Sequence, residues 1–266
     1  MISGITKSEL EVILARLDFE RRTLAPEGCT LETLPDVSRL RCPESERHMI
    51  SFSALTDERA DLIIAKEAAH YRRLATQIEW KVYQHDRPAD LLQRVERCGF
   101  TAGPRETVLV LDLNDRPSWI DEPPSHLVCR IENKDHLELY RQSADEIFGG
   151  DHGPTARELL AGIESGSLHH CGYIVIEGKT AVSIGRLCTD PQSAFGGLYG
   201  GGTLDRYRNR GFYRATVAAR ARDAVDLGAR YLMVDALPTS RPILERLGFV
   251  RLTDTWPCTL EAHRST

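Results

Sequence analysis

Four arginines, Arg206, Arg208, Arg210 and Arg214, surround Gly211 in the stretch DRYRNRGFYRAT, residues 205–216, which leads straight into an alanine-rich, helix-prone segment. A helix N-terminus carries unpaired backbone N–H groups and the positive end of the helix dipole, so an anion docking there satisfies both. Gly211 sits where such a turn must come close to a ligand; the plainer use of the same glycine is a turn that needs positive φ. Two residues on, where a phosphate loop keeps a small side chain, stands Tyr213. Just upstream, Gly196, Gly197, Gly200, Gly201 and Gly202 fall within a strand-like run. Glycine weakens a strand and marks a bulge or the close approach of another backbone. An extended ligand that pairs with strand amides at one end and sets a pyrophosphate on the next helix would use both features. Coenzyme A, an amide-bearing pantetheine arm joined to a pyrophosphate, has that shape. A dinucleotide is the competing reading of GGLYGGG, but these glycines sit inside a strand rather than between strand and helix, and no suitably placed acid follows.

Composition narrows the partners. The 266 residues have room for one large domain or two of ordinary size. A formal net charge of -5 argues against a dedicated nucleic-acid binder, whose footprint would be strongly basic. The cysteines, Cys29, Cys42, Cys98, Cys129, Cys171, Cys188 and Cys258, are odd in number and form no C-x-x-C, a pattern that suits free thiols in a reducing cytosol. Structural zinc needs four closely spaced ligands, which no Cys or His cluster supplies, so no metal is expected. His169 and His170 are the one adjacent pair, and neighbours on a strand point to opposite faces. The N-terminus lacks a basic start followed by an apolar run, and no segment approaches the roughly 20 apolar residues that span a bilayer. A cytoplasmic location without a membrane partner is therefore expected.

The elements that would position the glycine and arginine stretch follow from periodicity. Leu10, Ile13, Leu14 and Leu17, with Ser8 and Glu11 at capping-box spacing, predict an opening helix. A less regular stretch to about Arg47 precedes the strand HMISFSAL, a helix from Asp57 to Thr76, the strand IEWKVYQ, a helix over 88–97 and a strand from Glu106 to Leu113. Prolines and polar residues crowd NDRPSWIDEPPS, residues 114–125, which reads as a linker between domains 1–122 and 123–266. Beyond it, HLVCRIE reads as a strand and Asp135 to Phe148 as a helix. A second helix opens at Pro154, with Thr155 and Glu158 as its capping box. Two strands joined at Glu177-Gly178-Lys179 form a hairpin, and the glycine-rich run adds a third antiparallel strand. A helix from Gly211 to Leu227 stops at Gly228, RYLMVDA is a strand, Pro242 to Leu247 is a short helix, and FVRLTDTWPCTL closes the chain. Residues 78–111 and 229–260 share one plan of strand, proline-bearing loop, short helix, Gly-Phe and strand. That order fits a duplication, or simply two strand-helix-strand units of a common kind.

Residues 203–216, TLDRYRNRGFYRAT, resemble the acetyl-CoA-binding motif Q/R-x-x-G-x-G/A of the GNAT superfamily of N-acetyltransferases. Arg208 takes the first position and Gly211 the glycine, while Tyr213 departs at the last. The order of elements from about His126 to Leu260 is similar to that fold too, and RPILERLGF looks like a segment near its end. More distantly, the first half resembles a degenerate copy. The resemblance implies an α/β (α+β) fold: a GNAT-type mixed, mostly antiparallel sheet flanked by helices, with an N-terminal α/β lobe of related fold. It implies an acetyl-CoA-dependent N-acyltransferase acting on the amine of a small molecule or amino-acid-like acceptor, without metal, as a monomer or homodimer. Thr203, Leu204 and Asp205 would meet the pantetheine arm. Arg208, Asn209, Arg210, Gly211, Phe212, Tyr213 and Arg214 would cradle the pyrophosphate, and Ser240 would lie nearby or cap the helix that follows. Asp151, His152 and His169 would line the acceptor side.

Acyl transfer to an amine needs an unprotonated amine, a polarised thioester carbonyl and a proton for the departing thiolate. A strand amide near Thr203 would polarise the carbonyl, and Asp235 and Tyr199 are the candidates for the base. The tyrosine that protonates the thiolate in many relatives aligns with Leu244, which leaves that role unassigned. The gap keeps open a second reading, a non-catalytic CoA-binding sensor or regulatory module.

Overall fold

A computed structural model describes residues 5–124 and 126–262. In chain order the elements are α1 (Lys7–Thr23), β1 (Thr30–Thr33), β2 (Val37–Cys42), β3 (Arg47–Ser53), α2 (Ala60–Arg73), β4 (Ile78–Tyr83), α3 (Leu91–Arg97), β5 (Thr101–Ala102) and β6 (Glu106–Asp112). After them come β7 (Cys129–Arg130), α4 (Lys134–Phe148), α5 (Gly153–Ser165), β8 (His170–Glu177), β9 (Thr180–Cys188), β10 (Phe195–Thr203), α6 (Phe212–Asp226), β11 (Tyr231–Ala236), α7 (Arg241–Arg246) and β12 (Val250–Leu260). Two compact units result. One comprises Thr6–Leu109, Asp235–Arg241 and the chain from Arg251; the other comprises Val110–Val234 and Pro242–Val250. Among the described residues, no helix is long and apolar enough to cross a membrane.

In the first unit α1 starts earlier than Ser8 and Glu11 predict. Thr6 Oγ1 accepts from the Glu9 N–H at 3.3 Å, and the Glu9 carboxylate accepts from the Thr6 N–H at 2.7 Å, so Thr6 and Glu9 form the capping box. The aperiodic stretch behind the helix is an antiparallel β1–β2 pair, and a Cys29–Cys42 disulfide ties its ends. This corrects the expectation of seven free thiols; a separation of 13 residues carries no spacing signature, and only the strand register brings the two together. The other five cysteines form no disulfide among the described residues. The strand order is β1-β2-β3-β4-β12, with β5 on β12. Ile50, Ile64, Trp80 and Val95 lie at the centre of this core, each fully buried; such a side chain contributes about 1.5–3 kcal/mol.

In the second unit the order is β11-β10-β9-β8-β7, antiparallel except for the β10–β11 pair. Side chains alternate across β9: Ile184 joins Tyr140 of α4 and Leu159 of α5 in one core, while Gly185 faces Arg220 of α6. Helices α4 and α5 thus cover one face and α6 the other. The hairpin turn falls where expected, with Glu177 opposite Thr180. Three local expectations change. Helix α5 begins at Gly153 behind His152, and Glu158 turns to Arg186 instead of capping with Thr155. Only Cys129–Arg130 of HLVCRIE forms strand. The proline-rich stretch is no free tether: Trp119 and Ile120 are buried on a 3-10 turn, and Trp119 Nε1 donates to the Leu247 carbonyl at 2.9 Å. Two apolar side chains among the prolines are enough to dock it; Ser125 lies outside the described residues.

The two similar segments have the same local build. In each, a short helix ends at a left-handed glycine, Gly99 at φ 95° and Gly248 at φ 94°, followed by a buried phenylalanine, Phe100 and Phe249.

Candidate active site

Strand β10 pairs in parallel with β11 over Phe195–Gly197 and Tyr231–Met233, and runs on against β9 as far as Thr203. Tyr199 opposes Arg186 while Gly202 opposes Ile184, so Gly200 and Gly201 together face the single residue Gly185. This is a β-bulge, and Gly200 takes the left-handed φ of 52° that it needs. The other glycines make room for the protein's own side chains. A Cβ on Gly196 would meet Ala224 and Ala229, one on Gly201 would meet Tyr213 and Arg220, and one on Gly202 would meet Ile147 and Phe148. An extended ligand would therefore lie along the edge of β10, where amides point, and not on its face.

The strand hands over to the helix through a tightly held turn. Thr203 Oγ1 meets Ser183 Oγ at 2.9 Å, and the Leu204 N–H donates to the Val182 carbonyl at 3.0 Å, burying Leu204. Asp205–Tyr207 forms a 3-10 turn. Arg208 Nη2 then pairs with Asp205 at 2.6 Å, and its Nε donates to the Thr203 carbonyl at 3.4 Å. Asn209 at φ 62° and Gly211 at φ 85° are both left-handed, which swings the chain into α6. No side chain caps this helix, and its first intrahelical bond runs from the Ala215 N–H to the Gly211 carbonyl. Phe212 anchors the first turn in a small core with Val175 and Val182. The amides ahead of Ala215 have no acceptor within the helix, which is the geometry that receives an oxyanion.

The arginines around this turn have partners of their own. Arg206 pairs with Glu146, Arg214 with Glu122 at 3.0 Å, and the Arg206 and Arg210 guanidinium groups each lie 5.3 Å from the Tyr207 ring centroid. These are exposed pairs, screened by solvent and weak enough to be exchanged for a phosphate but not evidence of one. Tyr213 turns its ring edge toward Gly201 and thus toward the bulge.

Of the residues considered for proton transfer, Tyr199 is on the bulged strand and part-exposed, with the Arg186 Cζ 5.9 Å from its ring centroid. Asp235 belongs to the other compact unit, where Lys81 Nζ reaches it at 3.0 Å and Glu106 at 2.7 Å. Burial disfavours the Lys81 charge, but Asp235 and Glu106 hold its pKa well above the ordinary lysine value. Ser240 Oγ donates to the Leu237 carbonyl at 3.2 Å, closing the turn ahead of α7. Leu244 is fully buried and carries no proton donor. On the side toward α5, the Asp151 carboxylate accepts from the Gly153 N–H, His152 bonds Asp145, and His169 Nδ1 meets Thr189 Oγ1 at 2.9 Å. Asp18, His85 and Asp86 form a metal-like cluster in the first unit, but Arg21 is interleaved with it, 2.7 Å from Asp18 and 3.2 Å from Asp86.

Arg186 and Arg220 belong to no motif visible in the sequence. Arg186 interrupts the apolar strand TAVSIGRLC and pairs through Nη1 with Glu158 of α5 at 3.2 Å. Arg220 is 1% exposed, and among the described residues it donates to the Thr216 and Arg186 carbonyls alone. A cation at a position that periodicity assigns to the core was the available signal.

No protein-family model and no curated protein matches this sequence. Solved structures do. A GCN5-related N-acetyltransferase from Kribbella flavida superposes with a TM-score of 0.61 at 14% identity, over 97% of this chain and 96% of its own. A conserved protein of unknown function from Staphylococcus epidermidis ATCC 12228 gives 0.63 at 13% identity, over 90% and 96%. A tandem GNAT protein from the clavulanic acid biosynthesis pathway gives 0.55 at 11% identity, over 99% and 98%. With a bulged central strand opening into an uncapped helix, and solved GNAT structures matching it end to end, this chain has the GNAT fold, a mixed and mostly antiparallel sheet flanked by helices, accompanied by an N-terminal α/β lobe.

Proposed function

We propose that the protein is an acetyl-CoA-dependent N-acyltransferase acting on the amine of a small molecule or amino-acid-like acceptor. The observation that carries this reading is the passage from the bulge at Gly200–Gly201 through left-handed Asn209 and Gly211 into a helix with no side-chain cap. The edge of β10 from Tyr199 to Thr203 would pair with the pantetheine amides, and the amides of Asn209 to Arg214 would hold the pyrophosphate. In the reaction the amine nitrogen bonds to the acetyl carbonyl carbon, the carbon–sulfur bond breaks, the amine loses a proton and the thiolate gains one. Preorganised strand amides at the bulge would stabilise the oxyanion formed on the way. The chemistry would belong to residues 123–266, which hold the bulge and the turn, with 1–122 as a degenerate companion lobe, although Asp235–Arg241 and the chain from Arg251 pack in the unit of Thr6–Leu109; the cytoplasm is where the acyl donor would be met.

Leu244, buried where a thiolate-protonating tyrosine would stand, supports the alternative of a CoA-binding module without turnover. One experiment separates the readings. Purified protein is incubated with acetyl-CoA and a panel of amines, free thiol is followed, and thermal shifts are measured with acetyl-CoA and with NAD. Thiol release with at least one amine supports the transferase. Stabilisation by CoA without release favours the module, and stabilisation by NAD alone sinks both.

A further inference from the structure

The bulge has more cation around it than the protein neutralises. Arg186 and Arg220 approach it from opposite faces of the sheet, with one carboxylate, Glu158, bonded to the pair. The other groups facing them are Tyr140, Tyr199 and Cys188 around Arg186, Tyr173, Tyr213 and Tyr140 around Arg220, and His170, which lies 3.9 Å from Glu158. Of the three Arg186 nitrogens, only Nη1 has a hydrogen-bond partner among the described residues; Nε is buried without one. The unused Nε–Nη2 edge is the side of a guanidinium that takes a carboxylate in a two-bond fork.

That edge borders Gly200. A Cβ built on Gly200 would stand 3.5 Å from Arg186 Nε, 4.0 Å from Arg186 Nη2 and 3.5 Å from Tyr140 Oη. Tyr140 is 1% exposed, and burial raises its pKa, so its phenol stays protonated and can donate. From the other face, Arg220 Nη2 stands 3.2 Å from the corresponding point on Gly201; among the described residues the hydrogen bonds of Arg220 come from Nε and Nη1, to the Thr216 and Arg186 carbonyls. A side-chain-free bulge thus has unused donors from three residues around it, and two of these residues are barely reached by solvent. Buried donors left without acceptors are costly, and a bound anion removes the cost.

We propose that the Arg186 fork and the Tyr140 hydroxyl beside Gly200 bind the carboxylate of the acceptor, so that the preferred acceptor is an amino acid and not a simple amine. The proposal rests on acyl transfer taking place at the same bulge. It narrows the substrate class: a carboxylate held at Gly200 places the neighbouring amino group within a few bonds of the strand edge, where the thioester would lie. Arg186 and Tyr140 are then specificity residues, and Glu158 is the positioning residue that fixes the guanidinium by its other edge.

The test compares amino acids with their carboxamides as acceptors for acetyl-CoA, in the full chain and in Tyr140→Phe and Arg186→Gln variants whose folding is checked by circular dichroism. The expected result is a kcat/KM at least 100-fold higher for acids than for amides. Tyr140→Phe should raise KM for acids about tenfold and shrink the acid-over-amide ratio of kcat/KM by a similar factor. Equal rates for acids and amides, or an acid preference that survives both variants, would overturn the proposal. So would a preference for succinyl-CoA over acetyl-CoA with neutral amines, because the fork would then serve the acyl group. Binding of N-acetyl amino acids in the presence of CoA, measured by calorimetry, gives a readout independent of turnover. If no amine releases thiol but these acids bind wild type and fail to bind Tyr140→Phe, the carboxylate site stands while the transferase reading falls.

Discussion

Tyr213 lies edge-on to Gly201, its Cε2 3.2 Å from the place where a Cβ on that glycine would stand. The bulky residue at the end of the loop motif is accommodated because the strand opposite has given up its side chain. Its ring is directed at the bulge, while the amides that would bind phosphate belong to the backbone of the same turn. Tyr213→Ala is therefore expected to keep the thermal stabilisation by acetyl-CoA, with affinity within about threefold by analogy with substitutions that leave backbone donors intact. Gly201→Val should do the reverse, driving against Tyr213 and Arg220 at a cost of about 1–3 kcal/mol, and its melting temperature checks this.

Gly211 tests the phosphate position directly. At φ 85° any side chain is strained, by roughly 1–2 kcal/mol, and a Cβ would also approach His126 Nε2 to 3.5 Å. Gly211→Ala should lose that stability but retain a reduced acetyl-CoA shift. Gly211→Glu should lose the shift altogether through charge conflict; an unchanged shift would place the phosphate elsewhere.

Asp235 behaves in the structure as half of an ion pair. Asp235→Asn is expected to leave the pH profile of thiol release in place and to lower the melting temperature; a lost acidic limb would identify it as the base instead. Lys81→Met should cost about 3–5 kcal/mol at neutral pH, because Glu106 and Asp235 are left buried without a cation. Burial already holds the Glu106 pKa above its ordinary value against the pull of Lys81. Without the lysine, the folded state would keep protons that the unfolded chain releases, so the variant's stability should fall as pH rises through and above the carboxylate range and recover in acid. Urea melts across that range measure it.

Cys29 and Cys42 give a simple chemical check. Unfolded without reductant, five cysteines per chain should react with an alkylating reagent, and seven after reduction. Closing so short a loop is worth about 3 kcal/mol, so reduction should lower stability by a similar amount.

The acidic limit has its own marker in the first unit. Burial pushes the Asp18 carboxyl up, but hydrogen bonding to His85 and the charge of Arg21 outweigh it and hold the pKa below the ordinary aspartate value. The stability it contributes is present above the unfolded pKa and disappears as pH falls through the lower folded one. Asp18→Asn should flatten that part of the acid unfolding curve.

Local chemistry made the second half of the chain legible. Gly178 turns the hairpin, Gly211 opens α6, Gly228 and Gly248 end helices, and each is a backbone need that one residue type meets, so sequence alone determines them. Apolar runs did the same for β8, β9 and β11, and an alanine-rich composition for α6. The first half was harder to read: the residues between α1 and β3 show no period because β1 lies at an edge and is mostly exposed, and the Cys29–Cys42 pairing depends on a cross-strand register. Charged residues showed the limit most clearly. The arginines of DRYRNRGFYRAT were conspicuous in one dimension and prove to be exposed and paired, while Arg186 and Arg220, hidden in apolar runs, converge on the bulge. The sequence determines where the chain can turn, since φ is a local property; only tertiary structure decides which charges are desolvated and left without a partner, since burial and pairing depend on residues far apart along the chain.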